Sequence, residues 1–280
     1  MLVIGATGQI SRALQSQFPE SIITSSRNYS TNDGPIVDLS TIHTDSSEID
    51  RFLQKSKLSS VIIAGAMTAV DACETKHTDA IRINASGPRL LARICANYGI
   101  RTIYISTDYV FDGLAGSYLE TDQPNPISYY GTTKLAGEVG VSKENSNSLI
   151  IRTTWVYGPD TNAKNFSSQV CKSFESRTPL MVPRDQISTP TFNRDLALKI
   201  FELSQSTRTG IVHVAGGQRM SKYEFAVALA QSYKIPADLI VPVATKELQQ
   251  SACRPLLAGL KSHEQANIVR PFLRKPLPVD

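Results

Sequence analysis

Short, unbroken apolar runs punctuate the first half of the chain, and the stretches between them carry apolar residues three and four positions apart. The runs at 2–4, 22–23, 36–39, 60–65, 102–106 and 149–153 predict strands, and their continuous apolarity suits strands covered on both faces. Helical spacing at 12–18, 48–57 and 84–98 predicts helices; in the last of these Leu90, Leu91, Ile94 and Cys95 share one side. Strands alternating with helices build a parallel sheet with helices on both faces, so the expected class is α/β, a Rossmann-type doubly wound sheet. After residue 153 the rhythm loosens, with helices expected near 166–176 and 192–204 and strands at 180–182 and 210–215. Ser221 and Glu224 have the spacing of a capping box that opens a helix with Phe225, Ala228 and Leu229 on one face. The proline-rich end without periodicity is expected to be coil.

The first run leads into GATGQI at 5–10, followed by a helix. Gly5 allows a tight turn, Gly8 lets backbone approach a pyrophosphate, and the helix N-terminus offers N–H donors and positive potential. The spacing differs from GxGxxG, and Ser11 holds the third small position. Past the second run stand Ser25, Ser26 and Arg27, where an arginine accommodates a 2′-phosphate, so NADPH is expected over NADH, with NADH still allowed. Asp38 and Leu39 are placed to flank an adenine, and the small residues Ala64, Gly65 and Ala66 suit a strand end that passes close to a cofactor.

The chemistry is expected in the segment 128–138. Tyr130 and Lys134 are four apart, so on a helix both point into one cleft, and of the ten tyrosines only Tyr130 has a lysine at that spacing. An adjacent ammonium favours phenolate and should pull the tyrosine down from about 10, making it a proton donor to a carbonyl oxygen as hydride reaches the carbon. A surface Tyr/Lys pair is the ordinary alternative. Ser106, Thr107, Asp108 and Tyr109 form a polar cluster at the carboxyl end of a predicted strand, the edge where open parallel sheets bind ligands. Trp155 lies just past the next strand end on that side, as a ligand contact or an interface aromatic. The segment 113–128 reads equally as a loop over the site or as a plain connection.

Composition narrows the partners. The 280 residues are 41% hydrophobic with a net charge of +4 and no long run of either sign, which disfavours nucleic acid. Cys73, Cys95, Cys171 and Cys253 form no CxxC, and His43, His77, His213 and His263 no metal motif, so neither a metal nor a disulfide framework is expected. No leader or membrane-length apolar stretch is visible, so a cytoplasmic protein is expected and the sequons at Asn28, Asn84 and Asn165 are read as chance.

Together these residues resemble the extended short-chain dehydrogenase/reductases, and within them the dTDP-4-dehydrorhamnose reductase family. The matching pieces are GATGQI at 5–10, MTAVDACE at 67–74, STDYVFDG at 106–113, YYGTTKLAGE at 129–138, RTTWVYG at 152–158, NF at 165–166, DQISTPT at 185–191 and RP at 254–255. The resemblance implies NADPH-dependent reduction of the 4-keto group of a nucleotide-linked 6-deoxy sugar. It implies a catalytic set of Thr107, Tyr130 and Lys134, with Asp108, Tyr109 and Trp155 lining the sugar pocket. It also implies cofactor contacts at Gly5, Gly8, Gln9, Ile10, Asp38, Leu39, Ala64, Gly65 and Lys134, to which the residue reading adds Arg27 and Ala66. The expected organisation is an NADP-binding domain over 1–153, joined by about 191–215, with 154–280 mainly binding substrate; a homodimer is allowed. Ser188 stands where the family has glycine, Leu257 and Ala258 where it has Asn and Ser, and Ile63 where it has Asn. Two alternatives stay open: a non-catalytic NADP-binding subunit resembling the beta subunit of methionine adenosyltransferase, and a reductase of another carbonyl compound.

Overall fold

The computed structural model describes residues 1–158, 165–232, 236–261 and 268–269; His263 and most of the proline-rich end lie outside the described residues. Strands β1 (Leu2–Ile4), β2 (Ile23–Ser25), β3 (Ser60–Ile63), β4 (Arg101–Thr107) and β5 (Leu149–Thr153) join a later strand, Gly210–His213, in a six-stranded parallel sheet. Numbering the short strands between them as β6 (Val156–Tyr157), β7 (Leu180–Pro183), β8 (Ile187–Ser188) and β9 (Thr191–Phe192) makes Gly210–His213 β10 and the sheet order β10-β5-β4-β3-β1-β2. The doubly wound parallel sheet expected from the apolar runs is therefore present.

Side chains alternate across it. Leu2, Ile4, Val61, Ile63, Tyr104 and Ile150 enter one core with helices α2 (Ser47–Lys55) and α5 (Gly87–Asn97). Val3, Ile62, Ile103, Ile105, Leu149 and Ile151 enter the opposite core with α1 (Gln9–Gln17) and α8 (Asn193–Ser204). Two cores, one on each face, are why these strands read as unbroken apolar runs rather than as alternation. A third cluster brings α7 (Phe166–Ser176) and α9 (Lys222–Ser232) together through Val170, Phe225, Ala226, Leu229 and Ala230. Ser221 and Glu224 cap α9 reciprocally, as their spacing predicts: Ser221 N–H donates to Glu224 Oε2 at 2.7 Å and Glu224 N–H to Ser221 Oγ at 3.1 Å.

The strand expected at 36–39 is absent. Its backbone groups bond elsewhere, Ile36 N–H to Glu48 Oε1 at 2.7 Å and Val37 N–H to the Ser26 carbonyl at 3.2 Å, so the segment runs as a loop and β2 stays the sheet edge. The helix expected at 84–98 differs too. Between α4 (His77–Ile81) and α5 lies a π-helical turn, Arg82–Ser86, that turns the buried Asn84 side chain to the backbone of Met67, accepting from its N–H at 2.8 Å and donating to its carbonyl at 3.1 Å. The segment 113–128 packs on the C-terminal part of the chain: Tyr118 N–H donates to the Gly259 carbonyl and Leu257 N–H to that of Gly113. None of its residues lines the cleft described below.

Candidate active site

A cleft of about 750 Å³ opens at the carboxyl ends of the strands. Strand order reverses between β1 and β3, which is where open α/β sheets bind ligands. Gly5 sits there with φ +105°, and a Cβ on it would lie 2.5 Å from the Gly65 nitrogen, so glycine at position 5 is needed for the two strand ends to meet. Gly8 starts α1 in extended conformation, leaving the first N–H groups of that helix toward the cleft. Gly5, Gly8, Gln9, Ile10, Ala64, Gly65 and Ala66 all line the cleft. Arg27, Asp38 and Leu39 do not: Arg27 is exposed, Asp38 accepts from the Ser40 N–H and hydroxyl, and Leu39 is buried against Gly65.

The opposite wall is built by α6 (Tyr129–Glu144), whose N-cap Ser128 accepts from Gly131 N–H at 3.2 Å. Tyr130, Lys134, Glu138 and Val141 recur at three and four residues and form its buried stripe. Tyr130 and Lys134 both line the cleft, with Thr107, Asp108 and Tyr109 from the end of β4 and with Trp155 after β5. Trp155 holds φ +33°, a left-handed backbone uncommon for a bulky residue, and it turns the chain into the cleft.

The ionisation of Tyr130 runs opposite to the direction its spacing from Lys134 suggests. Burial pushes the phenol well above its usual value, and only its hydrogen bond with Thr107 pulls it down. Tyr109 meets it edge-on at 5.5 Å, and Cys73 and Met67 pack nearby. The Lys134 ammonium donates to the Ile105 carbonyl at 2.8 Å and lies 3.8 Å from the centre of the Tyr104 ring. Burial pulls Lys134 down to about 7, with Glu138 acting the other way.

A lysine whose folded value lies below its unfolded value of about 10.4 sheds its proton on folding between the two, so the cost of burying it is greatest below the lower one and fades as pH rises. The melting temperature of Lys134→Met, relative to wild type, is therefore expected to improve as pH falls from about 9 to about 6. A difference constant across that range would remove charge burial as the cause.

Asp108 is fully enclosed and raised by burial, held as an acceptor by Thr154 at 2.7 Å, Ser188 at 2.8 Å and Thr107 at 3.3 Å. Asp71 binds Arg254 at 2.6 Å and accepts from Ala252 N–H at 3.0 Å, which joins the segment 67–74 to the distant RP pair. Gln9 accepts from Asn165 at 2.8 Å and donates to the Val156 carbonyl at 3.0 Å, tying the glycine turn to the start of α7.

Residues 1–274 match the family described as RmlD substrate binding domain. The chain belongs to this family. Spore coat polysaccharide biosynthesis protein SpsK of Bacillus subtilis (strain 168) is 36% identical, over 74% of this chain and 73% of that protein. The dTDP-4-dehydrorhamnose reductase of Mycobacterium tuberculosis (strain CDC 1551 / Oshkosh) is 32% identical, over 80% of this chain and 74% of its own length. Among solved structures, dTDP-4-dehydrorhamnose reductase from Bacillus anthracis str. Ames in complex with NADP superposes with a TM-score of 0.86 at 30% identity, covering 98% of this chain and 94% of that one.

Ser188, the departure from the RmlD-family glycine, has a visible place in this chain: its hydroxyl completes the ring of donors around Asp108 and lies 2.5 Å from that of Thr154. Leu257 and Ala258 make their hydrogen bonds by backbone alone, to Gly113 and Ile187, and neither side chain lines the cleft. The sequence analysis gives no site role to Thr7, Arg12, Thr68, Phe166, Lys222 and Phe225, which line the cleft, or to Asn84, which positions the segment at Met67. Asn165, as the residue before a predicted helix, was the one with a readable signal, an N-cap.

Proposed function

We propose that this chain is an NADPH-dependent reductase of the 4-keto group of a nucleotide-linked 6-deoxy sugar, converting dTDP-4-dehydro-L-rhamnose to dTDP-L-rhamnose. The reading is carried by Tyr130 and Thr107 sharing one cleft with the Gly5 turn, in a chain whose relatives include dTDP-4-dehydrorhamnose reductases. The Gly5–Gly65 contact and the α1 N-terminus form a cradle of backbone groups that fits the pyrophosphate of a dinucleotide. Bound NADPH supplies the hydride. Tyr130, which burial keeps protonated, gives its proton to the carbonyl oxygen as that oxygen gains charge, and Thr107, hydrogen-bonded to the phenol, fixes where the oxygen sits. Lys134, which lines the same cleft, would help to hold the cofactor, and Asp108, Tyr109 and Trp155 enclose the sugar.

In this reading residues 1–153, with about 191–215, hold the cofactor, and the remainder of 154–280 mainly encloses the substrate. No helix among the described residues is long and apolar enough to cross a membrane. We place the reaction in a reducing cytoplasm, which suits the free state of Cys73, Cys95, Cys171 and Cys253. A homodimer is part of the same reading, and light scattering of the purified protein tests it. The non-catalytic subunit is less favoured, since the proton donor and its threonine are assembled in the cleft.

The test is NADPH consumption by the purified protein across a panel of nucleotide-linked keto sugars. Turnover with dTDP-4-dehydro-L-rhamnose is expected, and silence with every sugar in the panel sinks the reading. In the same assay Arg27→Ser is expected to reduce the preference for NADPH over NADH by about tenfold. An unchanged ratio would move the 2′-phosphate contact to Arg12, which lines the cleft.

A further inference from the structure

Lys222 is the first residue of α9, and its side chain reaches back to where two cavities meet. One is the cleft of Tyr130. The other is a groove of about 490 Å³ walled by Phe166, Leu180, Met181, Pro183 and Leu248. The ammonium lies 5.4 Å from the centre of the Trp155 ring and 5.3 Å from that of Phe166, with one long hydrogen bond, 3.4 Å, to Gln186 Oε1. It forms no ion pair among the described residues. Arg254, the cation that repels it, is bound to Asp71, and the carboxylate on the groove wall, Glu247, accepts from Ala244 N–H at 2.6 Å. Burial, followed by repulsion from Arg254, pulls Lys222 down to about 8, while Asp108 raises it. Such a cation, short of partners between two aromatic faces, gains when an anion enters.

We propose that Lys222 receives the diphosphate of the nucleotide sugar, with the sugar lying toward Tyr130 and the nucleoside in the adjoining groove. The inference rests on the reductase reading for its substrate class, and it concerns this ammonium rather than the reacting atoms. A diphosphate matches the site in sign, and the passage between cleft and groove is where a linker between sugar and nucleoside must run. The aromatic faces hold the cation in place without neutralising it.

The experiment is calorimetric titration of the NADP-loaded protein with thymidine diphosphate and with thymidine, for wild type, Lys222→Met and Lys222→Arg. Lys222→Met is expected to weaken thymidine diphosphate by about ten- to a hundredfold and thymidine by much less, because the lost contact is a charged hydrogen bond. Lys222→Arg should retain most of the affinity, and the affinity of the apo protein for NADPH should be the same in all three. If a keto sugar turns over, Lys222→Met should raise KM by a similar factor with kcat within about threefold. Equal loss for thymidine and thymidine diphosphate, or loss for NADPH instead, overturns the assignment. The titration needs no turnover, so an inactive protein that still binds thymidine diphosphate through Lys222 defeats the reductase reading and leaves this one standing. No binding of thymidine diphosphate to wild type defeats this one.

Discussion

Tyr130→Phe is expected to lower kcat by about 10² to 10⁴, the worth of a positioned general acid, while NADPH affinity stays within about threefold. The change removes one oxygen from a ring that remains packed by Tyr109 and Cys73, so the fold should be preserved. Because burial raises the phenol, the proton is present across the neutral range, and the wild-type rate is expected to show no limb from phenol ionisation between about pH 6 and 9. Had Lys134 acidified Tyr130, as their spacing suggests, the rate would fall inside that window as pH rose. Steady-state kinetics of both proteins against pH separate the two cases. A Phe variant with near wild-type kcat would remove Tyr130 as the proton donor.

The largest expected loss of stability lies directly behind the cleft. Arg152 on β5 binds Glu138 on α6 in a two-pronged pair, Nη2 to Oε2 at 2.7 Å and Nε to Oε1 at 3.0 Å, with side chains 1% and 3% exposed. Ser106 also donates to Glu138, so this pair fixes the helix that carries Tyr130 to the strands that carry Thr107. Arg152→Met leaves a carboxylate enclosed without its cation and is expected to cost about 3–5 kcal/mol, read as a lower urea midpoint. The double change Arg152→Met with Glu138→Leu should recover most of that, since a buried ion pair often contributes little beyond an apolar pair of similar size. If the double variant is as unstable as the single one, unpaired charge is not the cause.

The elements legible in the sequence were those in which both faces of a strand are covered. The runs behind β3 and β5 are apolar at every position because helices lie on each side, and their limits were read to within a residue or two. The 36–39 run misled for the same reason that those succeeded: Val37 and Leu39 are buried, but Ile36 is 45% exposed and gives its N–H to the Glu48 side chain rather than to a strand. In the site, glycines and the Tyr130–Lys134 spacing gave position but not ionisation. Desolvation depends on what covers a group, and the covering residues, Tyr109, Cys73 and Met67, come from segments far apart in the chain. Lys222 was illegible for a related reason: inside a capping box it reads as a solvated helix start, and only the folded chain turns Trp155 and Phe166 toward it.

The π-helical turn at Arg82–Ser86 has a consequence for how this chain can vary in length. Shortening it by one residue would restore regular winding, swinging everything upstream about 100° around the axis relative to α5. Asn84 would then leave the Met67 backbone, and its carbonyl would leave both the Tyr104 hydroxyl and the close seat against Gly137. Substitutions on the outer side of this helix are absorbed locally, whereas a codon lost from it unseats the Met67 segment and the packing against α6 in a single step.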